Sequence, residues 1–399
     1  MLGDFLASAI NANMGAWVLS PMASEIEGQT VRWISELIGY PSDCGGLLVS
    51  GGNVANFVCF YAARAAKAGV GIREAGTAEA GALRVYGSAE THTWIQKAAD
   101  LSGMGTDAIR WVPTDGDQRM RVDELRCQVE EDLANGHKPF MVIGTGGSVS
   151  TGAIDPLPEI AACCREYDLW FHVDGAYGGF AAAVPESPDD LKALAEADSV
   201  AVDPHKWLYA PLEAGCALVR DPQHLRDAFS YHPPYYHFGI EATNYVDFGL
   251  QNSRGFRALK VWLALQQVGR TGYVTMMRDD IGLAQKVYML AEEHPDLDAI
   301  TTNLSITTFR YVPSDLRGRE AESEVGEHLN ALNKEIQLRM EAEGEAFVSN
   351  AIIDGCYVLR ACIVNFRTDR EDVEALIPII IRLGEAADGE LRPAQLAIP

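Results

Sequence analysis

The chain has 399 residues, 48% hydrophobic and 22% charged, the composition of an ordinary globular protein too long for a single core. Its 32 basic residues face 56 acidic ones, and a net charge of −24 repels nucleic acid and anionic membrane, so neither is expected as a partner. No apolar run approaches the ~18 residues of a membrane span, nothing at the start resembles a secretory signal, and eight cysteines that include the adjacent Cys163 and Cys164 suit reduced thiols in the cytoplasm better than bridges.

Met1 to Trp17 is apolar, without a polar tail or linker. Ser20 and Pro21 then read as N-cap and first residue of a helix whose apolar face is Ile26, Trp33, Ile34, Leu37 and Ile38. Leu47 to Val49 is a short strand that ends in Ser50-Gly51-Gly52-Asn53 and opens a helix from Val54 to about Lys67. Glycines between strand and helix bare backbone N–H groups at a positive helix end, which suits a phosphate; a plain turn has the same pattern. Leu83 to Tyr86 is the next strand, and Ser88 to His92 leads into a helix through Ala99. The His92 imidazole is flat enough to lie on a heteroaromatic ring, or serves simply as a helix-start histidine bonded to backbone. A strand (Ile109 to Val112), a charged helix (Asp123 to Ala134) and a strand (Phe140 to Gly144) follow, then Thr145-Gly146-Gly147-Ser148-Val149-Ser150-Thr151-Gly152-Ala153-Ile154-Asp155, whose hydroxyls can bond a ligand or shape a turn.

After a helix over 156–167, the apolar run from Leu169 ends in Asp174 and continues as Gly175-Ala176-Tyr177, small residues that let a flat ring come close. A carboxylate at the carboxyl end of a parallel strand is where open α/β sheets bind ligands. A second buried strand, Ser199 to Val202, runs into Asp203-Pro204-His205-Lys206-Trp207 and sets an amine at a partly desolvated strand end. That pairing is what pyridoxal phosphate requires: an amine for imine formation, and an anion that keeps the pyridine nitrogen protonated. Cys216 to Val219 is expected to close this sheet as its antiparallel edge. Strand alternating with helix over about 200 residues predicts a mostly parallel, doubly covered sheet, and no Walker or GxGxxG fingerprint competes for it.

Ser230 to Gly249 is irregular and aromatic, with Tyr231, Tyr235, Tyr236 and Tyr245; a loop of ~20 residues is either functional or interface packing. His232 and His237 within it form no ligand pattern, and no metal is expected. A long helix begins near Asn252, a second spans Tyr273 to Glu293, and strands at 305–311, 345–350 and 357–366 with helices near 323–342 and 371–386 predict a small antiparallel α/β domain. The division expected is 1–270 and 271–399, with 1–20 as the remnant of an N-terminal segment.

The segments HVDGAYGG (172–179) and DPHKW (203–207) resemble those of the pyridoxal-phosphate-dependent group II amino-acid decarboxylases, a family that includes the aromatic-amino-acid and glutamate decarboxylases. The likeness runs from about Gly15 to Gly384 and implies an α/β architecture of the fold type I class of pyridoxal-phosphate enzymes, with a seven-stranded, mostly parallel large sheet and a small C-terminal domain. It implies Lys206 as the imine-forming amine, Asp174 at the ring nitrogen, His92 stacked on the ring and Ala176 leaving room beneath it. Ser50, Gly52 and Asn53 match the phosphate turn, His205 is assigned to the phosphate or to Lys206, and Asp203 stands where Asn is commoner. Ser148 and Val149 stand where a Thr-Thr pair is usual, a departure that bears on one hydroxyl contact to the cofactor.

The resemblance further implies a homodimer whose neighbouring subunit supplies a protonating tyrosine, matched here by Tyr245 in Thr243-Asn244-Tyr245. Tyrosine there favours decarboxylation of an L-amino acid, aromatic by likeness, over the aldehyde synthesis associated with Phe. Relatives carry further N-terminal helices exchanged between subunits, so this chain starts late by comparison. The competing readings are another reaction on the same fold, such as aldehyde synthesis, aminotransfer or sulfinate removal, or an inactive truncated homologue.

Overall fold

Short apolar runs flanked by turn residues become the strands of one large sheet: β1 (Gly45–Val49), β2 (Leu83–Ser88), β3 (Ile109–Val112), β4 (Lys138–Thr145), β5 (Trp170–Asp174), β6 (Ser199–Val202) and β7 (Gly215–Val219). This computed structural model describes residues 1–69, 71–78, 80–232 and 242–396. The strand order is β1-β7-β6-β5-β4-β2-β3. From β6 to β3 the pairs are parallel, whereas β7 is antiparallel to both β6 and β1. β5 and β6 are buried along their whole length, which explains their continuous apolar sequences: helices cover both faces of a parallel sheet.

β7 is antiparallel as expected but is not the edge. β1 pairs with it over five residues, from Gly45 opposite Val219 to Val49 opposite Gly215, and takes the edge position itself. β1 can lie this close because it begins with two glycines; a methyl on Gly46 would stand 2.7 Å from the Ala217 carbonyl oxygen. Since β1 therefore points the same way as β6, the carboxyl ends of β1, β2, β4, β5 and β6 all emerge at one end of the sheet.

The helix after β1 (α3, Gly52–Lys67) packs its apolar side on the sheet, with Phe60 edge-on to Trp94 and Phe140 at centroid distances of 6.5 and 5.7 Å. Two further helices precede β1: α1 (Leu2–Ile10) and α2 (Pro21–Ile38), the latter with Pro21 in its first turn. The helix Pro222–Phe229 was not anticipated, although its signal is local: Asp221 accepts from the Gln223 N–H at 2.9 Å, with a proline next to it. The long helix starts at Ala258 rather than Asn252, because Arg254 is committed elsewhere; its N–H donates to Asn13 Oδ1 and its carbonyl accepts from the Met14 N–H. The helical run to Glu293 breaks at Gly269, whose φ of 68° suits only glycine, and not near Tyr273.

The chain divides into two units, Met1–Ser148 with Ala153–Val274, and Val149–Gly152 with Thr275–Pro399. The second contains an antiparallel sheet in the order β10-β11-β9-β8, from β8 (Leu297–Asn303), β9 (Ile306–Tyr311), β10 (Ser349–Ile353) and β11 (Cys356–Cys362). β8 escaped the sequence reading because its Asp298 and Thr-rich run has little alternation. Besides the end of the long helical run to Glu293, this unit contains the helices Ser323–Glu343 and Arg370–Leu391; a reciprocal capping box between Asp369 and Asp372 starts the latter. Buried Asn333 on the first accepts from the Tyr311 N–H and donates to the Tyr311 carbonyl, which ties that helix to β9.

Candidate active site

At the shared carboxyl end of the sheet, β5 and β6 are adjacent and parallel, with Asp174 opposite Ala201. Asp174 therefore leaves the sheet beside the segment that carries Asp203, His205 and Lys206. Its carboxylate is buried and accepts two hydrogen bonds, from the Trp94 indole N–H to Oδ2 at 2.7 Å and from the Ala176 N–H to Oδ1 at 3.1 Å. The backbone is held as closely: Gly146 N–H donates to the Asp174 carbonyl and Gly175 N–H to the Ala201 carbonyl.

Lys206 is half-buried, and its Nζ lies 3.1 Å from Asp203 Oδ2. His205 Nε2 approaches the same oxygen at 3.5 Å, while the Ala214 N–H donates to His205 Nδ1 at 3.2 Å. With Nδ1 accepting, the proton of a neutral ring sits on Nε2 and faces Asp203. Burial raises the Asp203 carboxyl above its usual range; Lys206 and His205 oppose this, and the nearby Asp174 carboxylate adds to it. Asp203 Oδ1 is buried with no hydrogen-bond partner among the described residues.

Against these groups lies the turn between β1 and α3. Gly51, the N-cap of α3, has a φ of 107° that a side chain would strain. Space forbids one as well: a methyl on Gly52 would stand 2.8 Å from Asp203 Oδ2 and 2.9 Å from Ala176 Cβ, and one on Gly51 would stand 3.3 Å from His205 Cε1. Ser50 and Asn53 flank these glycines, both partly exposed. The turn thus sets the positive N-terminus of a 16-residue helix against an amine, an imidazole and two carboxylates.

Residues 1–312 match the family model described as the pyridoxal-dependent decarboxylase conserved domain. The chain belongs to that decarboxylase family. An aromatic-L-amino-acid decarboxylase of Bacillus atrophaeus is 34% identical over 390 residues, 96% of this chain and 78% of the relative. A phenylacetaldehyde synthase of a Rosa hybrid cultivar is 29% identical over 384 residues, 93% of this chain and 75% of the relative. Among solved structures, Oryza sativa TDC with PLP and tryptamine matches with a TM-score of 0.88 and 28% identity, covering 96% of this chain and 80% of that one.

This protein is a pyridoxal-phosphate-dependent amino-acid decarboxylase with the type I fold. Its residues fit the cofactor on two counts. The Gly51-Gly52 turn is a cradle that side chains would fill, and amine, carboxylate and helix N-terminus supply the groups that an aldehyde, a pyridine nitrogen and a phosphate need.

In this decarboxylase, Asp174 bonds Ala176, Asp203 meets His205 and Lys206, and Gly52 lies between the two sets, where an added methyl would strike both Ala176 and Asp203. His92 is exposed at the turn after β2, and the Trp94 N–H donates to its Nδ1 at 3.3 Å. Ser148 is buried in the turn after β4, its N–H bonded to the Ala153 carbonyl. Tyr245 lies in the core of the first unit, 2% exposed, with the Arg254 guanidinium 4.8 Å above its ring and Phe248 edge-on at 6.0 Å. Burial first, then the Glu27 carboxylate, push its phenol well above the ordinary range. Tyr235, Tyr236 and His237 lie outside the described residues.

The sequence reading missed three features of the site. Trp94 is one, and its only sequence signal is an indole two positions from a helix-start histidine, with a single N–H to place. Beneath the site, His172 is fully buried in a chain of hydrogen bonds: Trp170 Nε1 to Ser199 Oγ (2.8 Å), Ser199 with His172 Nδ1 (2.9 Å), and His172 Nε2 with Asn56 Oδ1 (2.8 Å). Desolvation lowers its pKa to about 4. Asp155 closes the turn after β4 by accepting from the Thr145 and Met120 N–H groups, both at 2.7 Å, and burial raises its pKa to about 6.

Proposed function

We propose that this decarboxylase acts on an L-amino acid with an aromatic side chain and releases CO2 and the corresponding amine. The observation that carries the reading is the meeting of Asp174, the Asp203–Lys206 pair and the Gly51-Gly52 turn at the ends of neighbouring strands. Aromatic substrates are supported by the names of the similar bacterial decarboxylase and rose synthase.

When bound, the cofactor supplies an electron sink for the electrons of the bond to the leaving carboxylate. Lys206 would hold it through its amine and Asp174 would face its ring nitrogen. Ser50, Gly52, Asn53 and His205 would hold its phosphate at the start of α3, with Asp203 adjoining. His92 would cover one face of the ring, Ala176 would leave room at the other, and Ser148 would contribute from the turn after β4. Asp203, so close to the lysine amine, can also hold a proton that the amine gives up.

A homodimer in the cytoplasm is part of the same proposal. Leu2, Phe5, Leu6 and Ile10 on α1, with Val18, Leu19 and Met22 after it, form an exposed apolar stretch that a second copy would cover. Eight cysteines are compatible with a reducing compartment.

The deciding experiment is a panel of twenty amino acids scored for CO2 and for product. Amine from an aromatic substrate, absent with Lys206→Ala, supports the proposal. Aldehyde with peroxide and ammonia would assign the chain to the synthase reaction of its rose relative, and no turnover with any amino acid would overturn it.

A further inference from the structure

Trp94 opens the helix Trp94–Leu101 and is completely buried. Two walls set its ring: His172 edge-on at 5.8 Å and 86°, and Phe60 edge-on at 6.5 Å and 78°. Within them the indole has one polar atom, and that atom donates to Asp174 Oδ2 at 2.7 Å. The main chain of the same residue donates to His92 Nδ1. One residue therefore touches both the carboxylate and the imidazole assigned to the cofactor ring.

An indole N–H donates and cannot accept, so it favours the carboxylate as an anion and opposes its protonated form. With Trp94 on one oxygen and the Ala176 N–H on the other, each Asp174 oxygen has a fixed partner, and the plane of the carboxylate is set before any ligand arrives. We infer that Trp94 is a positioning residue for the cofactor, fixing through its indole N–H the orientation and the negative charge with which Asp174 meets the ring nitrogen. The inference rests on the proposed role of Asp174. Without the N–H, the carboxylate is free to turn away from the ring nitrogen, and the cofactor is held less firmly.

The test compares wild type, Trp94→Phe, Trp94→His and Asp174→Ala by cofactor dissociation constant, by pH titration of the visible spectrum of the loaded protein, and by thermal stability of the protein before loading. Trp94→Phe keeps a flat apolar ring without the N–H; it should bind pyridoxal phosphate about tenfold more weakly and show a pH-dependent spectrum over a range where wild type is constant. Trp94→His, which restores an N–H in a smaller ring, should recover part of both while being no more stable than Trp94→Phe. Wild-type affinity and spectrum in Trp94→Phe, beside a weakened Asp174→Ala, would overturn the role of Trp94 and leave the site intact. Unchanged binding in Asp174→Ala would overturn the reading of Asp174 itself. Should the Phe variant not fold, indole-15N-labelled wild type decides: the Trp94 N–H resonance, assigned by its loss in Trp94→His, must shift on adding the cofactor, and a resonance that stays in place refutes the inference.

Discussion

Asp203 Oδ2 lies 3.1 Å from Lys206 Nζ, a carboxylate against an amine, with the other carboxylate oxygen buried and unpartnered among the described residues. A phosphate held at the neighbouring Gly51-Gly52 turn would be a second anion close to Asp203. Phosphate binding then favours the protonated acid, whose pKa burial already raises. Cofactor affinity should fall as pH rises through the Asp203 pKa, because the ionised carboxylate repels the phosphate. Asp203→Asn removes that acid and should bind pyridoxal phosphate severalfold more tightly at pH 8 than wild type, with the two converging at low pH. Fluorescence-quench titrations across pH read this directly; parallel curves would refute it.

Tyr245 is buried under the Arg254 guanidinium. Tyr245→Phe should leave the ratio of amine to aldehyde unchanged. Tyr245→Ala should cost ~3–5 kcal/mol in urea unfolding through the cavity it leaves. Aldehyde formation by the Phe variant would return the proton-donor role to this tyrosine.

Arg254 and Glu27 form a fully buried pair, Nη2 to Oε1 at 2.5 Å and Nη1 to Oε2 at 3.2 Å. Glu27 Oε1 also accepts from the Leu48 N–H at 2.9 Å, and Arg254 Nη2 donates to the Leu48 carbonyl at 2.6 Å, so the pair anchors β1 between α2 and the segment before the long helix. Arg254→Met strands a buried carboxylate and should cost ~3–5 kcal/mol, while Arg254→Met with Glu27→Gln should recover part of the loss. Denaturation midpoints of the single and double variants measure the difference. Equal midpoints for wild type and Arg254→Met would mean that water already reaches Glu27.

His172 predicts a pH dependence of stability. Its folded pKa of about 4 lies below the ~6.5 of a free imidazole, so between those values the unfolded chain binds the extra proton. The contribution is complete above about pH 6.5 and is lost as pH falls toward 4, at most ~3 kcal/mol. Asp155, raised to about 6, has the opposite slope from ~4 to 6, because there the folded state holds the proton. His172→Gln isolates the imidazole: its stability relative to wild type should improve steadily as pH drops from 6.5 to 4. A difference between the two proteins that stays constant with pH would refute the assignment.

Much of the site was legible because its chemistry is local. A strand ending in Asp174, another ending in Asp203 to Lys206 and a glycine pair between strand and helix each announce themselves within ten residues, and the parallel sheet brings strand ends together whatever its order. Cys216 to Val219 shows where that stops. Its apolar run identifies a strand, but only pairing with Gly45–Val49, a partner from distant sequence, makes it internal.

By itself the amino-acid order determined the family, the alternation of strand and helix, and the amine and carboxylate of the site, since these depend on residue type and on spacing along a few turns. The tertiary structure decided which group each of them faces. Trp94 and Asp174 are 80 residues apart and Glu27 and Arg254 are 227 apart; nothing in either local pattern encodes the other. Such pairs come into being only when the sheet closes and burial leaves each polar atom few partners within reach.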